Sequence, residues 1–140
     1  MSEVSYKALG DAVERLGEAL ALFEAHRTDE LAESMRNSVL KAFMFTYSLC
    51  RPMMERFLLS DGADPAEVED MSLSTIVRSC NEKGVLRADW TVWRQFREAR
   101  NRMSHVYSRS FAKEIVALIP DFLKEVQYLY QQLATREVEG

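Results

Sequence analysis

Apolar residues recur at steps of three and four along most of the chain, which is the period of an α-helix and not the alternation of a strand. Val4, Leu9, Ala12, Val13, Leu16, Ala19, Leu20 and Phe23 lay one stripe along a first predicted helix. His26-Arg27-Thr28-Asp29 reads as a short connection, with Thr28 or Asp29 placed to cap the next helix. A second helix is predicted from about Glu30 to Leu59, carried by Leu31, Met35, Val39, Phe43, Phe45, Leu49, Met53, Phe57 and Leu58. Pro52 lies inside it, removes a backbone donor and crowds the preceding turn, so a kink or break is expected near Leu49 to Arg51. Ser60 to Pro65 is the clearest loop. The acidic run Glu67-Val68-Glu69-Asp70 reads as the solvated end of that loop or the first turn of a helix.

A third, shorter helix fits about Ser72 to Glu82, with Gly84 as its C-terminal cap residue. Asp89 is placed to cap a fourth, in which Trp90, Trp93, Phe96, Ala99, Met103 and Val106 step by three or four. Ser108 or Ser110 can start a fifth, and Ile115, Leu118, Ile119, Phe122, Val126, Leu129, Tyr130 and Leu133 carry it to about Thr135. Pro120 predicts a second kink or a late start there. No repeat, low-complexity tract or long linker divides residues 1–140, so the pattern predicts a single domain. The predicted fold is all-α: an antiparallel up-and-down four-helix bundle with an additional short helix. The broad apolar faces of the second and fifth helices favour a homodimer.

Composition narrows the function more than the fold. Five Gly and three Pro leave little material for the turns of a many-stranded sheet. A net charge of -4 excludes a generic polyanion binder, so contact with nucleic acid requires a local basic patch. Cys50 and Cys80 stand singly and read as buried, reduced thiols; with two separated histidines they supply no zinc spacing, and neither metal nor cofactor is expected. No signal peptide and no apolar run near the ~20 residues of a membrane span are visible. The expected location is therefore the cytoplasm, with no membrane partner.

One stretch does supply such a patch. Arg94, Arg97, Arg100, Arg102 and Arg109 fall within sixteen residues, opposed only by Glu98. Guanidinium groups suit phosphate oxygens through paired donors, although a solvated helix face is also often Arg-rich. His105 stands among these arginines, with Asn101 one turn before it on the same face, while Arg100 and Ser104 share the neighbouring face. If the helix continues that far, Arg100 and His105 point roughly 140° apart at ~3.6 residues per turn. They would then flank a phosphate or meet symmetry mates across a dimer cleft. Imidazole moves a proton near neutral pH, and an arginine stabilises phosphate charge. Together they suit metal-free RNA cleavage by the RNA's own 2′-hydroxyl. A lone His at a helix end equally reads as a cap or packing residue, and Tyr107 as a packing residue.

Arg100-Asn101-Arg102-Met103-Ser104-His105-Val106-Tyr107 follows the pattern Arg-Asn-x-x-x-His-x-Tyr. This octet resembles the signature of the HEPN superfamily, in its nucleotidyltransferase substrate-binding, HepT-like toxin branch. Arg36 to Leu49, with its Phe-x-Phe-Thr-Tyr core, is similar to that branch's second helix, and Ile76 to Leu86 to its short third helix and glycine turn. The resemblance implies a homodimer with the motif at a cleft between subunits. It implies a metal-independent ribonuclease toxin in which Arg100 and His105 are the catalytic pair, and Arg97, Asn101, Arg102 and Ser104 bind RNA or nucleotide. It also implies a small minimal nucleotidyltransferase as partner and antitoxin, transferring adenylate to Tyr107 and so placing bulk and negative charge beside the arginines. The sequence departs from the branch at Met44 and Ser48, where acids are common, and at Arg51 and Pro52, where a Trp-Lys pair is common. That departure keeps open a non-catalytic subunit that holds a nucleotide or substrate for a two-component nucleotidyltransferase. A helical dimerisation domain without ligand is the blandest reading.

Overall fold

The computed structural model describes residues 5–103 and 109–139, and among them the chain forms six helices and no strand. These are α1 (Lys7–Ala25), α2 (Ala32–Ser60), α3 (Pro65–Asp70), α4 (Leu73–Glu82), α5 (Trp90–Met103) and α6 (Arg109–Glu139). The four long ones, α1, α2, α5 and α6, make the antiparallel up-and-down bundle that the apolar spacing predicts, with α3 and α4 bridging α2 to α5. α1 packs on α2 and α6, α2 also meets α3, α4 and α6, and α5 lies on α4 and α6. The buried stripes are those of the sequence pattern: Leu9, Val13, Leu16 and Leu20 on α1, Val39, Phe43 and Phe57 on α2, and Ile115, Ile119, Phe122, Val126 and Leu133 on α6.

The boundaries differ from expectation in two places, each with a local cause. At the prolines the predicted spans hold, with neither a break nor a late start: α2 runs through Pro52 and α6 through Pro120. Pro52 is exposed, so water can take the Ser48 carbonyl that the missing N–H releases, while the opposite face keeps Met53, Met54 and Phe57 buried. The acidic run is a helix of its own, α3, started by Pro65 at its first position and anchored by buried Val68. It stops at Met71, which is extended, before the Ser72 hydroxyl caps α4 by accepting the Thr75 N–H at 3.2 Å. α6 passes the expected Thr135 and reaches Glu139, since no Gly or Pro interrupts it there. After α1, neither Thr28 nor Asp29 is the cap of α2: the N-cap residue is Leu31, without a side-chain cap, and the Asp29 carboxylate accepts the Leu31 N–H at 2.8 Å in the turn before it.

The core centres on Phe122. Phe43 and Phe96 stand edge-on to it at 4.8 and 5.1 Å, and Trp93 at 6.3 Å. One turn further along α6, the buried Glu125 carboxylate accepts N–H groups of Arg87 at 3.0 Å, Ala88 at 3.1 Å and the Trp93 indole at 3.3 Å. A buried carboxylate is tolerated only when it is bonded in this way. Here it locks the α4–α5 connection and the first turn of α5 onto α6, and so fixes the direction in which α5 leaves the core. The Asp89 side chain adds a cap to the Thr91 N–H at 2.9 Å.

The bundle has two ends. At one, α2 and α4 both close in Schellman turns on left-handed glycines, Gly62 at φ +102° and Gly84 at φ +84°. Lys83 pairs with Asp61 at 2.7 Å, Arg136 donates to the Lys83 carbonyl at 3.2 Å, and the Tyr128 hydroxyl donates to the Gly84 carbonyl at 3.0 Å. The other end gathers the end of α1, the start of α2, the end of α5 and the start of α6.

Candidate nucleic-acid interface

α5 changes character along its length. Trp93, Phe96 and Ala99 are buried, whereas Arg94, Arg97, Glu98, Arg100, Asn101 and Arg102 are all exposed. The pattern follows from the 3.6-residue turn: one face packs on α4 and α6, and the remaining positions carry charge into solvent. α5 is described to Met103 and α6 from Arg109. Ser104, His105 and Tyr107 lie outside the described residues. Of the predicted set, the structure therefore places Arg97, Arg100, Asn101 and Arg102.

These four do not form one cluster. Asn101 and Arg102 line a groove of about 460 Å³ between α5 and α6, which also holds Glu98 and Glu114. Arg102 lies over the Phe111 ring at 4.3 Å and approaches Glu114 at 3.7 Å, so it ties α5 to α6 as much as it offers charge. Arg97 and Arg100 belong to the other edge of the helix, toward α2. The Tyr47 hydroxyl shows this. Burial raises its pKa above the ordinary tyrosine value and Cys50 adds to the rise, while the Arg100, Arg97 and Arg51 guanidiniums act in the opposite direction. Three cations from two helices thus act electrostatically on one half-buried phenol, and among the described residues the hydrogen bond of Arg100 is a long one to Asn101 at 3.4 Å. Arg97 also lies 5.9 Å over the Trp90 ring.

Residue types alone did not reveal this α2 wall, although Tyr47 sits one turn after Phe43 in the Phe-x-Phe-Thr-Tyr core, the spacing that turns both inward. Phe43 packs on Phe122, and Tyr47 follows it to the rim, with ring centroids 6.1 Å apart. Arg51 is held there by Glu55 at 3.2 Å and by the Met71 carbonyl at 2.7 Å, a bond from α2 to the α3–α4 turn. Ser48 offers no charge: its hydroxyl folds back on the Phe45 carbonyl at 2.6 Å. The two cysteines are buried and unpaired; burial pushes the Cys80 thiol up to about 12 and raises that of Cys50 as well. Neither is a nucleophile at neutral pH. Among the described residues no three His, Cys, Asp or Glu side chains come close enough to hold a metal ion. None of the described helices is long and apolar enough to cross a membrane.

Known proteins resemble this chain in both sequence and fold. A protein of Haemophilus influenzae named probable ribonuclease HepT is 32% identical over 97 residues, which cover 69% of this chain and 66% of that relative. A solved Haemophilus influenzae structure, described as revealing the fold of a substrate binding domain of a nucleotidyltransferase, superposes with a TM-score of 0.84. The match covers 93% of this chain and 99% of that one, at 24% identity. That likeness shows the shared helical fold. Residues 4–135 match the family described as nucleotidyltransferase substrate binding protein like, so nearly the whole chain belongs to that family.

Proposed function

We propose that the chain is a HEPN-type, metal-independent endoribonuclease, the toxin of a toxin–antitoxin pair neutralised by a small minimal nucleotidyltransferase. The observation that carries this reading is Arg100. It stands exposed near the end of α5, five residues before His105 in the sequence, and it makes no ion pair among the described residues. The relative named as a probable ribonuclease supports the same reading. The family implies a nucleotidyltransferase partner.

In the reaction the 2′-hydroxyl of the RNA attacks the adjacent phosphorus and the bond to the 5′-oxygen breaks. The products are a 2′,3′-cyclic phosphate and a 5′-hydroxyl, so no water or metal enters the balance. Arg100 stabilises the charge that builds on the phosphoryl oxygens, and His105 takes or returns the proton. Asn101, Arg97, Ser104 and Arg102 hold the strand. A homodimer would bring two such motifs to one cleft, and the exposed Phe45 on α2, 55% accessible, is the apolar feature that favours a second copy. Adenylate on Tyr107 would close the cleft by bulk and charge.

Purified protein incubated with cellular RNA in chelator should cleave it, and His105→Ala should lose about 10²–10⁴-fold of the rate. Equal cleavage by both proteins, or none by either, would sink the proposal. A second reading has its own observation: Met44 and Ser48 give the α2 wall beside Tyr47 no carboxylate. It makes the chain a non-catalytic subunit that holds nucleotide or substrate for a nucleotidyltransferase. Nucleotide binding without RNA cleavage would favour it.

A further inference from the structure

A second groove lies at the same end of the bundle, on the other side of α6. It encloses about 440 Å³ between α1, α2 and α6. Leu20, Phe23, Val116 and Pro120 form its apolar floor, and Arg27, Arg36 and Lys113 bring three cations to it against one acid, Glu24. Arg27 and Lys113 make no ion pair among the described residues. The Nε of Arg36 is buried without a hydrogen-bond partner, and its guanidinium lies 5.9 Å over the Phe23 ring. A buried charged donor left without an acceptor is costly, and such a group in a native site points to a ligand that supplies one. Apolar floor and cationic rim together match a nucleotide: a base against the floor, a phosphate against the cations. The size falls in the usual range of a small-ligand site.

Resting on the ribonuclease reading, we propose that this groove binds one nucleotide of the RNA strand whose scissile phosphate lies at Arg100 and His105. Lys113 is four residues into α6 from Arg109, so about 6 Å along the helix axis separates the groove's rim from the point where α6 takes over from the octet. The strand would leave the catalytic cleft, pass the first turn of α6 and place its next ordered phosphate on Arg27, Arg36 and Lys113. The three cations come from the α1–α2 connection, α2 and α6, so binding there also ties these elements together.

The test uses full-length His105→Ala protein, which binds without cleaving, and a labelled single-stranded RNA titrated at several salt concentrations. Arg27→Ala with Lys113→Ala should weaken binding about tenfold and lower the salt slope by about 0.7, since the groove holds one phosphate and each phosphate contact to a single strand contributes roughly 0.7. Both residues are exposed, so the double variant should fold as the parent does. Arg78→Ala on α4, also exposed, should change neither quantity. With His105 restored, the same double variant should show the loss as a KM for RNA raised about tenfold. Unchanged affinity and slope, in a protein that otherwise binds RNA, would overturn the groove and leave the ribonuclease reading intact. RNA binding with the expected loss but no cleavage by the parent would support the groove and remove the catalytic reading. No RNA binding by either protein would end both. AMP binding that the double variant abolishes, with RNA affinity untouched, would also overturn the proposal by replacing the strand with a free nucleotide.

Discussion

The two ends of the bundle are built on opposite principles. At the Gly62 and Gly84 end, charges are paired and carbonyls are used: Lys83 with Asp61, Arg136 with the Lys83 carbonyl, and Tyr128 with Gly84. At the opposite end, Arg27, Arg100 and Lys113 have no ion-pair partner among the described residues, and the Arg36 Nε is buried without one. Both ends carry cations, so their presence alone does not separate the two. What separates them is whether the charge is already spent on the protein. An end whose donors are satisfied internally stabilises the fold and has little left for a ligand. An end with free guanidiniums adds little to stability and retains its attraction for phosphate.

The largest test of this contrast is Glu125, because it joins the satisfied half of the molecule to the start of α5. Glu125→Leu removes the acceptor of the Arg87, Ala88 and Trp93 N–H groups while keeping an apolar side chain of similar size. Each buried donor left unsatisfied costs about 1–3 kcal/mol, so the expected loss is roughly 3 kcal/mol, read from urea unfolding. A change below about 1 kcal/mol would mean that these donors find water, and that α5 is not anchored from this point.

Gly84 tests the same end with a smaller effect. Its φ of +84° is one that an L side chain adopts poorly, and an added Cβ would meet only the Arg136 guanidinium at 3.5 Å. Gly84→Ala should therefore cost about 1–2 kcal/mol through backbone conformation alone. Gly17→Ala, inside α1 with the nearest atom 3.9 Å away, should go the other way and stabilise by about 0.5–1 kcal/mol. Equal signs for the two in a thermal melt would show that the turn at Gly84 is not held as described.

How far these features could be read from the chain depends on whether they are local. The stripes of α1, α2, α5 and α6 follow from spacing, and the Gly84 cap and the Asp89 cap are visible because each uses residues within a few positions. Pro52 and Pro120 mislead because the local penalty is certain while the burial that outweighs it, Met54 and Phe57 around one and Ile119 and Phe122 around the other, comes from other helices. α3 is only six residues long, too short for a period to show. The octet was found by its chemistry at fixed spacing. Its surroundings were not: Arg100, with Arg97 before it, acts on the Tyr47 hydroxyl, whereas Asn101 and Arg102 line the groove that holds Glu114, and that depends on which neighbours flank α5. The groove of Arg27, Arg36 and Lys113 is invisible in one dimension, since nothing in the chain marks three separate cations as neighbours.

The smallest expected change in stability falls at the basic end, where it is the most informative. Arg100→Ala removes an exposed side chain with one long contact among the described residues, so unfolding at neutral pH should stay within about 0.5 kcal/mol of the parent. The tyrosine titration should nevertheless move. Burial already raises the Tyr47 pKa, and Arg100 is the foremost of the cations that oppose the rise. Deleting it should push the ionisation of Tyr47 further up, seen as a later phenolate absorbance on alkaline titration. The sign for stability follows: a phenol held neutral in the fold contributes fully below the unfolded tyrosine pKa, and that contribution is lost as pH rises through the folded one. The variant and the parent should therefore agree in stability at neutral pH and diverge only in alkali. An unmoved Tyr47 titration would place the Arg100 guanidinium away from Tyr47, and the α2 wall would then have no part in the site around Arg100.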